Sequence, residues 1–160
     1  MPDVDLLLQR LIKNDVEFVI VGGYAAVAYG VTLVTMDIDI CCNFSESNLL
    51  NIQRTLEDIH PVHRMTPARL PLELTSENCG TLKNLYIGTD LGQLDCLGNV
   101  KGVGDYDEVL SQSTEIELDV GKCRILTLDA LIKAKRAMDR PRDLEAVQQL
   151  TAIKEKTEGE

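Results

Sequence analysis

Asp37 and Asp39, in the run Thr35-Met36-Asp37-Ile38-Asp39-Ile40, set two carboxylates on one side of an apolar strand, because successive strand side chains alternate faces. Met36, Ile38 and Ile40 then point the other way. Two like charges that close repel by roughly 4 kcal/mol at 4 Å and an effective dielectric of about 20. A divalent cation between them relieves the repulsion, so the pair suggests a magnesium site. The same pattern on the solvated face of an edge strand would carry no chemistry. The choice between these readings rests on what else the chain brings to the spot.

Gly22-Gly23 sits between an apolar strand and a helix of small residues, where free backbone N–H groups and the helix dipole suit a phosphate. A glycine pair can also serve only a tight turn. Thirteen residues lie between Gly23 and Asp37, enough for one short helix and a return into the neighbouring strand, which brings the turn beside the carboxylates. Asp95, in Gln93-Leu94-Asp95-Cys96-Leu97, is a single carboxylate in an apolar strand that it disfavours. Three carboxylates on adjacent strands could hold two metal ions about 3.5–4 Å apart, with the third carboxylate also able to act as a general base. Lys135 falls near the middle of the stripe Leu128, Leu131, Ile132 and Met138. A lysine there either snorkels from the edge or reaches an anionic pocket. Asp143 lies beside the apolar side of the last helix, as a cap or a partner for Lys135 or Arg140.

The elements that must position these residues follow from periodicity. Leu6, Leu7, Leu8, Leu11 and Ile12 predict a first helix ending at Asn14-Asp15, followed by a strand over Glu17 to Val21. A helix over Tyr24 to Tyr29 stops at Gly30, the acidic strand spans about Thr35 to Cys42, and Ser45 caps a helix running through Leu56. The prolines and polar residues from Pro61 to Gly80 mark a loop-rich stretch that could border a substrate cleft. Leu82 to Ile87 pairs with Gln93 to Leu97, and Glu115 to Val120 with Lys122 to Leu126. Thr127 caps a helix over Leu128 to about Asp139, and Pro141 suits the first turn of the last helix. One domain over 1–153 and a charged, frayed tail over 154–160 are expected.

At 160 residues the chain can bury one good core. The balance of 16 basic against 26 acidic residues, a net charge of -10, argues against broad binding to nucleic acid or an anionic membrane. A local basic cluster at Lys133, Lys135, Arg136, Arg140 and Arg142 could still meet RNA. Five cysteines without C-x-x-C spacing suggest neither a zinc site nor a disulfide framework and fit a reducing compartment. The start Met1-Pro2-Asp3 lacks the basic stretch of a signal peptide, and no apolar run reaches membrane-spanning length. A cytoplasmic protein with no membrane association is expected.

Val21-Gly22-Gly23, Asp37-Ile38-Asp39-Ile40 and the separate Asp95 together resemble the DNA polymerase β-like nucleotidyltransferase superfamily. Gly30 and Thr35 ahead of the acidic pair, with the later Lys135, Arg140 and Asp143, look most like small bacterial proteins related to abortive-infection toxin nucleotidyltransferases. The resemblance spans about Glu17 to Leu150. It implies an α/β (α+β) nucleotidyltransferase fold, a mixed twisted sheet packed against helices with C-terminal helices. It further implies that Asp37, Asp39 and Asp95 ligate magnesium and that Gly22, Gly23, Thr35, Lys135 and Arg140 hold the nucleotide. The implied reaction moves a nucleoside monophosphate from a nucleoside triphosphate to a hydroxyl of RNA, a protein or a small molecule such as an antibiotic. A catalytically silent member of a toxin-antitoxin system, bound to an antitoxin-like partner, is the alternative. Two departures stand out: Leu33 occupies a position where relatives often carry arginine, and Gly23 one where many carry serine.

Overall fold

In the computed structural model, which describes residues 3–35 and 37–158, the alternation of the acidic strand is matched by the strand beside it. β2 (Asp37–Cys42) runs parallel to β5 (Gly92–Leu97), pairing Ile38 with Leu94, Asp39 with Asp95 and Ile40 with Cys96. Ile38, Ile40, Leu94 and Cys96 are fully buried. A one-residue slip would drive the carboxylates into that core, so burial of the apolar set fixes the register that puts Asp39 beside Asp95.

The remaining strands build outward. β1 (Phe18–Val21) is antiparallel to β2 and parallel to β9 (Gly121–Leu126), which pairs with β8 (Ser113–Leu118). On the other side β4 (Asn84–Thr89) and then β3 (Val62–His63) pair antiparallel. The result is a mixed seven-stranded sheet, in the order β3-β4-β5-β2-β1-β9-β8. A separate pair, β6 (Asn99–Val100) and β7 (Gly104–Asp105), precedes a short helix α5 (Tyr106–Ser111).

Helix α1 (Val4–Lys13) lies against β2, β5 and β9 and touches α3 (Glu46–Leu56). Helices α2 (Gly22–Tyr29), α6 (Leu128–Met138) and α7 (Pro141–Glu158) form a second group, packed on one another and on β1, β2 and β9. The expected caps are in place: Ser45 accepts from the Asn48 N–H at 3.3 Å, Thr127 from the Ala130 N–H at 3.2 Å, and Gly30 ends α2 at φ +112°. Among the described residues, no helix is long and apolar enough to cross a membrane.

Three expectations need correction. Met138 does not join the inward stripe of α6; it ends the helix half-exposed, and Ala130 and Ala134 are buried with Leu131 and Ile132 instead. The segment from Lys154 is not frayed as far as Glu158. Helix α7 continues through it, held by the Lys154 ammonium 2.6 Å from Asp129 and by Ile153 against the core. The loop-rich stretch also holds β3 and α4 (Ser76–Cys79), and a 3-10 turn (Glu57–Ile59) precedes it, elements too short to leave a periodic signal. The expected placement of Met36 on the apolar face of the acidic strand lies outside the described residues.

Candidate active site

Parallel pairing of β2 and β5 sets Asp37, Asp39 and Asp95 on the face opposite the buried Ile38 and Leu94. Asp39 is the centre of the group. Burial, followed by the charges of Asp95 and Asp37 and a hydrogen bond with Asp95, pushes its carboxyl up to about 6, against the opposing pull of Lys135.

Gly22 opens α2 at φ +68°, directly against Asp39. A Cβ there would stand 2.3 Å from the Asp39 Oδ2. Glycine is required twice over, by its left-handed backbone and by the carboxylate lying where a side chain would be. Gly23 differs: a Cβ would meet the Leu33 Cδ2 at 3.4 Å and the Thr35 Oγ1 at 3.8 Å, ordinary contacts. We therefore expect Gly22→Ala to destabilise the fold by about 1–3 kcal/mol and to displace Asp39, whereas Gly23→Ala costs under about 1 kcal/mol. Thermal unfolding of the two variants checks the contrast, and equal losses would contradict it.

Thr35 leads the chain into β2. Its hydroxyl donates to the Asp37 carbonyl at 3.0 Å, a contact that fixes the start of the acidic strand. Facing the carboxylates, α6 and α7 supply the cations. The Lys135 side chain is only 14% exposed, so it points inward rather than snorkelling. Its ammonium lies 3.7 Å from the Asp143 Oδ1, while the Arg140 Nε donates to the Asp143 Oδ2 at 2.5 Å and its Nη2 to Oδ1 at 3.2 Å. Asp143 is 1% exposed. Burial alone would raise its carboxyl, but the Arg140 hydrogen bonds and charge, aided by Lys135, hold it below the ordinary carboxylate range.

Asp37, Asp39, Gly23, Thr35, Lys135 and Arg140 all line one cleft of about 420 Å³, large enough for a nucleotide. Gly22 and Asp95 are not among the residues that line it, and each lies against Asp39 instead. Leu33 is on its rim, 48% exposed. The sequence did not single out Gln149, whose Oε1 accepts from the Thr32 N–H at 3.0 Å and ties α7 to the rim loop.

Hard carboxylate oxygens whose mutual repulsion is only partly offset fit a divalent cation chemically. They do not stand as a finished cage. Among the described residues, no three acidic, histidine or cysteine side chains converge to hold an ion. One contributor is Arg64, just beyond β3, whose guanidinium donates to the Asp95 Oδ1. Nothing in the sequence marked Arg64, which lies 31 residues from Asp95 in the loop-rich stretch.

The arrangement is thus an acidic wall facing a cationic wall across a nucleotide-sized cleft. Residues 2–160 match the model of a protein family described as "Nucleotidyl transferase of unknown function (DUF2204)". The chain belongs to this family. Membership in a nucleotidyl transferase family agrees with the resemblance carried by the glycine pair and the three aspartates. A comparison with proteins of curated function finds no match. Among solved structures, the lincomycin-bound lincosamide antibiotic adenylyltransferase LnuA is similar at a TM-score of 0.64 and 18% identity, over 96% of this chain and 98% of that one. A candidate nucleotidyltransferase from Thermotoga maritima is similar at 0.57 and 17%, over 95% and 96%. These likenesses bear out the expected nucleotidyltransferase fold, and each extends over at least 95% of this nucleotidyl transferase.

Proposed function

We propose that the protein moves a nucleoside monophosphate from a nucleoside triphosphate to a hydroxyl group, with magnesium held by Asp37 and Asp39 and completed by Asp95. The observation that carries this reading is the half-buried Asp39, pressed by two other carboxylates and faced by Lys135 across the cleft. Repulsion of that kind, only partly offset by Lys135 and by Arg64 at Asp95, is costly to keep unless a further cation relieves it. Magnesium, when bound, would neutralise charge on the phosphates and on the acceptor oxygen.

This chain's own residues supply the rest. Lys135 and Arg140, oriented by the buried Asp143, meet the triphosphate oxygens, and the N–H groups at Gly22-Gly23 receive phosphate at the start of α2. The acceptor oxygen forms a bond to the α-phosphorus as the bond to pyrophosphate breaks, and the acceptor proton passes to the Asp95 carboxylate. Thr35 contributes by holding the backbone of Asp37.

A small-molecule acceptor is favoured over RNA. The net charge of -10 repels a polyanion, and the chain spans 98% of a solved adenylyltransferase named for a lincosamide antibiotic. The silent, partner-bound alternative is opposed by the retention of all three aspartates.

Calorimetry of the full chain with magnesium and each nucleoside triphosphate tests the reading. Metal-dependent binding that is lost in Asp37→Ala/Asp39→Ala is expected; binding indifferent to magnesium or to those substitutions would overturn it. Labelled-nucleotide transfer in a lysate, separated into RNA, protein and small-molecule fractions, identifies the acceptor, and label in the RNA fraction would overturn the small-molecule preference.

A further inference from the structure

Arg64 occupies a place in the sheet that neither the family nor the proposed reaction assigns. Its backbone N–H donates to the Tyr86 carbonyl at 2.9 Å, extending the β3–β4 pairing by one residue. Tyr86 pairs with Asp95, and Asp95 with Asp39. A single row therefore crosses the sheet: Arg64, Tyr86, Asp95, Asp39. The guanidinium lies over the Tyr86 ring, 5.7 Å from its centroid, and reaches past it to donate to the Asp95 Oδ1.

The contact is largely out of water, since the side chains of Arg64 and Asp95 are 17% and 18% exposed. It is also incompletely satisfied. The Arg64 Nε is buried with no hydrogen-bond partner among the described residues. Among the described residues, the facing carboxylate is the one opposite charge that holds this guanidinium, beside the weaker contacts with the Tyr86 ring and the Met65 sulfur. A divalent ion at Asp95 removes that attraction twice, by taking the carboxylate's lone pairs and by adding positive charge beside the arginine.

We propose that Arg64 is a positioning residue that holds the Asp95 carboxylate while no divalent ion is bound and yields it when one binds. The inference rests on the preceding reading of Asp95 as a ligand. Arg64 and the ion compete for one carboxylate, so ion binding is weaker than the three aspartates alone would give. The third ligand becomes free only as the ion arrives.

The test is titration of the full chain with manganese, without nucleotide, followed by calorimetry. Arg64→Gln is expected to bind manganese about tenfold more tightly than the wild type. Arg64→Lys, which keeps the charge, falls between them. In an Asp95→Asn background, Arg64→Gln has no further effect, because the contested carboxylate is gone. Equal manganese affinity in the wild type and Arg64→Gln would overturn the proposal. If Arg64→Gln does not fold, the wild type decides by NMR: the buried Arg64 Nε–H signal shifts on magnesium addition, and an unmoved signal beside shifting Asp37 and Asp39 amides overturns the proposal. Manganese binding by none of these proteins would overturn the ligand reading itself and this inference with it.

Discussion

Asp39→Asn is expected to lower nucleotidyl transfer by about 10³-fold, equivalent to about 4 kcal/mol of transition-state stabilisation, while making the ion-free protein more stable at neutral pH. The opposite signs share one cause. Burial and the charges of Asp95 and Asp37 raise the Asp39 carboxyl from 3.8 to about 6 in the folded chain. A carboxyl raised on folding contributes stability below pH 3.8 that is lost as pH rises through about 6. The shift corresponds to about 3 kcal/mol, so the ion-free wild type should weaken by roughly that amount between pH 4 and pH 7. The uncharged asparagine removes this dependence. Denaturant unfolding at pH 4.5 and pH 7.5 without metal measures it, and magnesium should restore the wild type at the higher pH but not the variant. An Asp39→Asn variant less stable than wild type at pH 7.5 would contradict the account.

Asp143→Ala carries the second large effect. The Asp143 carboxylate accepts two hydrogen bonds from Arg140 and lies 3.7 Å from the Lys135 ammonium, at 1% exposure. Removing it strands a nearly buried lysine, whereas Arg140, 43% exposed, recovers solvent. A buried pair broken from one side costs about 3–5 kcal/mol, and the exposure of Arg140 reduces this to about 2–3 kcal/mol. Because the Asp143 carboxyl is lowered on folding, its contribution is present above the ordinary carboxylate pKa of 3.8 and lost as pH falls below it. Wild type and variant should therefore converge in acid and differ at pH 7. The same substitution frees Lys135 and Arg140 from their orienting partner, so the KM for nucleoside triphosphate should rise more than kcat falls. A change confined to kcat would count against a nucleotide-positioning role.

The order of major elements was readable because each has a local cause. Leucines at helical spacing made α1, and Ser45 and Thr127 capped α3 and α6 at the places their side chains suggested. The inward lysine was readable too: Lys135 interrupts an apolar stripe, and its 14% side-chain exposure reflects that position. Met138 departs from the stripe because it stands at the end of α6, where the stripe has no further turn to pack against. The α7 extension has no local signal, because its charged segment is stabilised by Asp129, which belongs to another helix.

The sequence by itself determined the alternation that commits Asp37 and Asp39 to one face, the lone Asp95, and the glycine pair at a strand-to-helix turn. These are short-range properties, set by backbone periodicity and by which side chains avoid water. Only the tertiary structure decided that Asp95 lies beside Asp39 rather than Asp37, that Gly22 is excluded from carrying a side chain by Asp39 itself, and that Arg64 holds Asp95. Each depends on strand register between segments far apart in the chain. Register is fixed by the whole buried face of the sheet, through Ile38 against Leu94 and Ile40 against Cys96, and no local motif carries it.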